Sequence, residues 1–494
     1  MAGITVERSP HMLRPDPHRV VGRPYVPGDD PLADGQPRLE GVVRRILAIG
    51  DDDVAGQLAD IRARFSGRHR SLERMLARNS DRVSHLLGDV SDERRLLIGA
   101  YFTQEYAFEA AALTNPSIVC APDQSGLPEG ACRFVLSLRS IGEGHLSSIE
   151  FRTGTLSAEG DAHLDEASSL AETGERRSPV YERKLFGVKL AELGADVDMS
   201  AKVLDQLPRH FGVPELEQAL AVLLTPDIPR ALCLDTTKFF RWLASSNYLL
   251  AFDEETSIEE RLLYPEGPFE SRGMEDARFV HFTEDDRSTT YYASYTAYDG
   301  INILPQLIET NDFRSFEIST MNGRSAQNKG MAIFPRTIDG AYVALSRPDR
   351  ENIHLLRSDN PRFWGAPSTP LRGPKQPWEL IQMGNCGSPL ETSEGWIVLT
   401  HGVGPMRTYR LGALLLDLDD PSRIIADLPE PILEANEEER DGYVPNVVYS
   451  CGGMIHGDRL VLPYGFSDQG TGIAVLSVPE LLKELLAHPP TRDR

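Results

Sequence analysis

TTYYASYTAYDG, residues 289–300, decides the reading of this chain. An aromatic, apolar strand meets polar residues at its end and runs into an Asp-Gly turn. Four other stretches finish in the same way: RFVLSLRSIGEG at 133–144, AYVALSRPD at 341–349, GWIVLTHGVG at 395–404 and RLVLPYGFSDQG at 459–470. The last four copies start 52, 54 and 64 residues apart, whereas the first gap is 156 residues and holds an extra helix-rich stretch. A sheet unit repeating at this length marks a propeller blade, so five copies predict a mainly β chain, a five-bladed β-propeller around a central cavity. The seventh position of the first four copies holds Arg139, Tyr295, Arg347 and His401. At equivalent strand ends, two cations, a phenol and an imidazole would converge on that cavity.

Outside the repeat the chain divides readily. Residues 1–36 are rich in Pro, Asp, Gly and Arg and read as an irregular arm. Apolar stripes at helical spacing follow, from Leu39, Val42, Val43, Ile46 and Leu47 onward, with Ser91 as the N-cap of a last helix ending before Asn115-Pro116. Residues 37–113 are therefore an α-helical extension. The propeller would occupy 114–480, interrupted at about 155–245 by a polar acidic loop and a second helical insertion, in which Pro214 sits at a helix start. LLKELLAH at 481–488 opens a C-terminal helix and tail, 481–494.

With 494 residues, 40% of them hydrophobic, the chain can fill a large core. A net charge of −23 argues against a nucleic-acid partner and against a polybasic membrane surface. Five cysteines without a CxxC pair signal neither a disulfide framework nor a zinc cage, and a reducing cytoplasm fits them best. The N-terminus lacks a secretory apolar segment, and no apolar run is long enough to cross a membrane. Phosphate-binding glycine loops for nucleotides, HExxH and EF-hand patterns are absent, and the acidic residues at 50–53 belong to a helix entry, so no metal or cofactor is expected.

GMEDARF at 273–279 places two carboxylates and an arginine together. On a regular strand Glu275 and Asp276 would face opposite sides, and Asp276 would share a face with Arg278, which could hold its carboxylate. Further along stand NKGMAIFPRTIDGAYVALSRPD at 328–349, MGNCGSPLETSEGWIVLTHGV at 383–403, TYRLGALLLDLDDPSRII at 408–425 and ERDGYVPNVVYSCGG at 439–453. Together these segments resemble glycoside hydrolase family 130, the β-mannoside phosphorylases and related β-mannoside hydrolases, in order and spacing from about 273 to 474. TNPSIV and RFVLSLRS at 114–140 are similar to the family's first blade. The helical pieces at 37–113 and 155–245 depart from its short members. The resemblance implies a five-bladed propeller and an inverting reaction in a central funnel. It makes Asp276 the counterpart of the aspartate in the family's Glu-Asp-Pro-Arg motif, with Ala277 in place of proline. That aspartate is thought to protonate the glycosidic oxygen through a sugar hydroxyl.

Inverting hydrolysis needs a carboxylate base opposite the acid. Phosphorolysis needs no base; it needs cations and donors for an anion, here against an opposing long-range field. The candidates are Arg139, Lys329, Arg347 and His401, with the Tyr409 phenol as a further donor. The resemblance places them at positions that the family's phosphorylases use. The favoured reading is thus an inverting phosphorylase that takes an oligosaccharide β-mannoside and inorganic phosphate as co-substrates and gives α-mannose 1-phosphate. Asn115, Arg278, Tyr295, Glu391, Glu439, Asn446 and Asp468 are candidates for sugar contacts, or for hydrogen bonds between blades. Glu391 and Glu439 are the bases if the enzyme is a hydrolase on the same fold. A non-catalytic carbohydrate- or protein-binding propeller is the third reading. The stripes of the helical extension call for burial on the propeller or in a homo-oligomer.

Overall fold

The computed structural model describes residues 3–28, 37–225 and 227–490. Its architecture is mainly β, with nine α-helices among the described residues. Five antiparallel units follow one another in the sequence. The first contains Ala112–Cys120, Cys132–Ile141, Ser147–Leu156 and Ala162–Leu164. The second contains Gly273–Thr283, Thr289–Tyr298, Ile303–Thr310 and Ser315–Thr320, and one parallel pair, Gly273 with Ser147, joins it to the first. Lys329–Ile333, Tyr342–Arg347, Ile353–Ser358 and Thr369–Arg372 make the third. Gln382–Asn385, Gly395–Val403, Tyr409–Leu416 and Ile424–Asp427 make the fourth. The fifth pairs Val448–Tyr449, Arg459–Phe466 and Gly470–Ser477, and its outer strand is Val6–Arg8 from the start of the chain.

The strands of these units are apolar on both faces because both faces are covered. Side chains alternate along a strand, so WIVL at 396–399 sends Trp396 and Val398 toward the third unit and Ile397 and Leu399 toward the fifth. In the third unit Val343 and Leu345 meet the fourth, whereas Ala344 meets the second. Leu113, Phe134, Leu136 and Leu138 of the first unit share a core with Val461 and Ile473 of the fifth. Main-chain and hydroxyl bonds run beside these cores: Ser117 Oγ accepts from the Phe279 N–H at 3.1 Å, and the Asn385 amide donates to the Gly330 carbonyl at 2.9 Å. The Asn446 carbonyl accepts from the Tyr409 N–H at 3.0 Å, and the Pro116 carbonyl from the Cys451 N–H at 2.8 Å. The circuit of contacts ends where it begins, with the fifth unit on the first.

Several expected boundaries move. The arm is not irregular: Val6–Arg8 and Val20–Pro24 are strands, while residues 1, 2 and 29–36 of the arm and 491–494 of the tail lie outside the described residues. Helices Arg38–Leu47, Asp51–Phe65, Leu72–Ser80 and Asp92–Tyr101 form the extension, and Ser91 caps the last by accepting from the Arg94 N–H. That helix stops at Tyr101 because Thr103–Ala107 pairs with Val20–Pro24, a partner too distant in sequence for any local pattern to show. The acidic stretch after 155 is also not a bare loop, since Glu175–Arg177 pairs with Tyr248–Ala251 and widens the second sheet. Helices of the insertion start at Arg183 and pack on the core between the first and second units, with Phe186, Leu190 and Phe240 against it. The C-terminal helix is Val478–Leu486 and packs beside the fourth and fifth units.

Candidate active site

The first strands of three units carry the same defect at the same place. Their ladders slip between Thr114 and Ser117, between Glu275 and Arg278, and between Lys329 and Ala332. Asn115, Asp276 and Asn328, within or beside these bulges, have φ of 50°, 57° and 60°. Asn and Asp tolerate this left-handed region better than other residues, yet it still costs on the order of 1–3 kcal/mol each, a strain typical of positions that aim a side chain. Opposite the bulges stand the seventh-position residues: Arg139 pairs with Thr114, and Arg347 with Lys329. His401 pairs with Gly384, where a Cβ would lie 2.7 Å from the imidazole. The fifth copy has Gly465 instead, because a Cβ there would sit 2.1 Å from Thr114 Oγ1 and 2.9 Å from the Asn115 nitrogen. Glycine in the fifth unit thus makes room for Asn115 of the first.

The bulge overturns strand alternation at Glu275 and Asp276. Both carboxylates reach Arg139: Glu275 Oε1 lies 2.7 Å from Nη2, and Asp276 Oδ1 lies 3.9 Å from Nη1. Glu275 Oε2 also takes Lys329 Nζ at 2.6 Å, so Glu275 spans cations of the first and third units. Asp276 is buried and accepts a hydrogen bond from the Asn115 amide. Burial alone would raise its carboxyl pKa. The Arg139, Lys329 and Arg278 charges and the Asn115 bond outweigh burial and hold it below the usual carboxylate value. Arg278 does not clasp the Asp276 carboxylate, as a regular strand would allow. Fully enclosed, it donates to the Asp276 carbonyl at 2.8 Å, the Cys386 carbonyl at 2.9 Å and the Tyr449 hydroxyl at 2.8 Å, fixing the bulge from behind.

Arg347 Nη1 lies 3.3 Å from His401 Nε2. Burial first, then Arg347 and Arg278, push the His401 imidazole well below its ordinary pKa, so at neutral pH it is a neutral partner of Arg347 and not a third cation. The Tyr409 ring lies parallel to it at 6.3 Å, and Tyr449, which the sequence reading did not single out, closes the group at 4.7 Å from His401. Asp468, with φ of 47°, lies within the electrostatic reach of Arg139, Asp276 and Glu275. Burial raises its pKa against the pull of Arg139, and Asp276 and Glu275 add to the rise.

Other candidates sit elsewhere. The Tyr295 ring is buried in the core between the first two units, and its hydroxyl donates to Glu270. Glu391 forms a two-pronged pair with Arg336 at 2.7–3.1 Å, at the far end of the strand that carries His401. Glu439 is fully buried, accepts from Tyr464 and lies 3.2 Å from Arg8 Nε. Asn446, with φ of 62°, contributes its carbonyl to Tyr409. Among the described residues no group of three or more His, Cys, Asp or Glu is arranged to hold a metal ion.

A family model described as β-1,4-mannooligosaccharide phosphorylase, of the glycoside hydrolase 130 set, matches residues 252–486. A 1,2-β-oligomannan phosphorylase of Thermoanaerobacter sp. (strain X514) is 31% identical over 259 residues, covering 49% of this chain and 82% of that protein. A β-1,2-mannobiose phosphorylase of Listeria innocua is also 31% identical, over 50% of this chain and 71% of that protein. The solved structure of a Listeria innocua β-1,2-mannobiose phosphorylase with β-1,2-mannobiose aligns with 78% of this chain and 99% of that one, at 21% identity and a TM-score of 0.44.

Proposed function

The chain belongs to glycoside hydrolase family 130, and on that premise we propose that it is an inverting glycoside phosphorylase, which cleaves β-mannosides with inorganic phosphate and releases α-mannose 1-phosphate. The observation that carries this reading is the gathering of Arg139 and Lys329 around Asp276, with Arg347 opposite Lys329 on the neighbouring strand, in a chain of net charge −23. Each charge-assisted hydrogen bond from such groups contributes about 1.5–3 kcal/mol. Three of them suffice for phosphate affinity between about millimolar and micromolar after ordering costs. A phosphate oxygen attacks the anomeric carbon, the bond from that carbon to the glycosidic oxygen breaks, and Asp276 supplies the proton that the leaving oxygen takes up. His401, kept neutral, and the Tyr409 phenol orient the anion without adding charge.

The hydrolase reading is weakened by the positions of its two candidate bases, since Glu391 is engaged with Arg336 and Glu439 with Tyr464 and Arg8. We read the five units as five propeller blades. The five interface cores and the contact of the fifth unit with the first support this. Cytoplasmic residence fits five free cysteines. Lys329→Ala tests the phosphate site. It should raise KM for phosphate by roughly 10-fold or more while KM for the mannoside changes little. Equal effects on both substrates would contradict the assignment.

A further inference from the structure

We infer that Glu275 is a specificity-determining residue of the anion site, which accepts a hydrogen bond from the P–OH of the bound phosphate and so selects protonated oxyanions over sulfate. The inference rests on the phosphorylase reading and adds to it a rule for which anions enter. Glu275 bridges Arg139 and Lys329, at 2.7 Å and 2.6 Å. These are two of the three cations offered to phosphate. Each retains donors: the Lys329 ammonium has two beyond the Glu275 bond, and Arg139 Nη1 lies 3.9 Å from Asp276 Oδ1, beyond hydrogen-bond distance. An anion that takes up those donors shares both cations with Glu275. Its oxygens therefore come within hydrogen-bond reach of the Glu275 carboxylate.

At that separation two anions repel unless one carries a proton. An ionised carboxylate only accepts, so the proton must come from the ligand. Hydrogen phosphate and hydrogen arsenate each keep one O–H at neutral pH and can turn it toward Glu275. Sulfate has none. Its oxygen lone pairs would face those of Glu275, with Asp276 and Asp468 adding charge of the same sign close by. Discrimination of this kind comes from a repulsive element built into the site, not from a better fit to the favoured ligand. The bulge supplies it, because a regular strand would have turned Glu275 away.

The test measures competition in the phosphate-dependent cleavage of a β-mannobiose, at constant ionic strength set with chloride. In the wild-type protein sulfate should inhibit with a Ki at least ~10-fold above the KM for phosphate, the loss of one charged hydrogen bond. Arsenate should replace phosphate as the attacking anion. In Glu275→Gln, whose amide can donate to either anion, the ratio of sulfate Ki to phosphate KM should fall toward one. Wild-type sulfate inhibition as strong as phosphate binding overturns the inference, and so does an unchanged ratio in the variant. If the variant does not fold, the wild-type comparison of sulfate with arsenate decides alone. Cleavage that ignores all three anions and yields free mannose would overturn the phosphorylase reading and this inference with it. Phosphate-dependent cleavage without sulfate discrimination would overturn only the latter.

Discussion

In the proposed reaction Asp276 must carry a proton to act as an acid, yet Arg139, Lys329 and Arg278 hold its carboxyl below the usual carboxylate value. The same cations resolve this. On the proposed reading, phosphate bound beside Arg139 and Lys329 would offset their field and raise the Asp276 pKa. Activity falls as pH rises through the pKa of the acid, because the proton is lost. The alkaline limb of kcat at saturating phosphate should therefore lie at higher pH than the limb of kcat/KM for phosphate, which reports the free enzyme. Coincident limbs, or the reverse order, would contradict the coupling. Asp276→Asn should lower kcat by about 10²–10⁴-fold with folding retained, since an amide keeps most of the hydrogen bonds. A circular dichroism melt beside the kinetics separates the two effects. That Arg139, Lys329 and Arg347 would lie near one another was legible from strand position and motif. The geometry of Glu275 was not, because a bulge leaves no mark in period-2 patterning. Nor was the charge of His401, which burial and Arg347 set from outside its own segment.

At the scale of the strand, the apolar runs reported the mainly β units faithfully because each buries both faces between neighbouring units. Trp396 is fully enclosed in the core between the third and fourth units and edge-on to Phe334 at 5.1 Å. Trp396→Ala should cost about 3–5 kcal/mol, read as a lowered denaturation midpoint with unchanged slope. Gly465 acts differently, since its bare Cα lets Thr114 and Asn115 approach. Gly465→Ala should cost about 1–3 kcal/mol by overpacking and should also displace the Asn115 amide from Asp276. Its kcat should fall by more than the stability loss explains at a temperature where the variant remains folded. Full activity in a folded variant would remove Gly465 from the site. Tyr295 shows where strand equivalence misleads. It occupies the repeated seventh position, yet its hydroxyl finds Glu270, buried beneath the insertion side of the second unit, and its ring follows.

Across the whole molecule the early strand Val6–Arg8, the helix Val478–Leu486 and the helical additions are attached to the sheets. Val6–Arg8 supplies the outer strand of the fifth unit, and Arg8 donates to the Glu434 carbonyl at 2.6 Å. Arg19 is buried against Glu109 and lies 3.3 Å from Glu150, with Arg152 completing the group at 2.8 Å from Glu109 and 2.6 Å from Glu150. Removing one member of such a group leaves charge buried without its partner, so Arg19→Ala should cost about 3–5 kcal/mol in a thermal or chemical melt. The chain 114–494 lacks Arg19 and begins inside the first strand, and it should fail to fold into active protein. A soluble, active truncation would show the additions to be dispensable. None of these long-range attachments has a local signature, which is why the arm looked irregular and the extension seemed to continue to 113. The repeat, by contrast, is written into each unit separately and was readable. The central claim is phosphorolysis, and one measurement addresses it most directly: a time course by nuclear magnetic resonance of a β-mannobiose panel with and without inorganic phosphate. The account predicts α-mannose 1-phosphate and the released sugar in equal amounts, only when phosphate is present; free mannose formed at the same rate in phosphate-free buffer would contradict it.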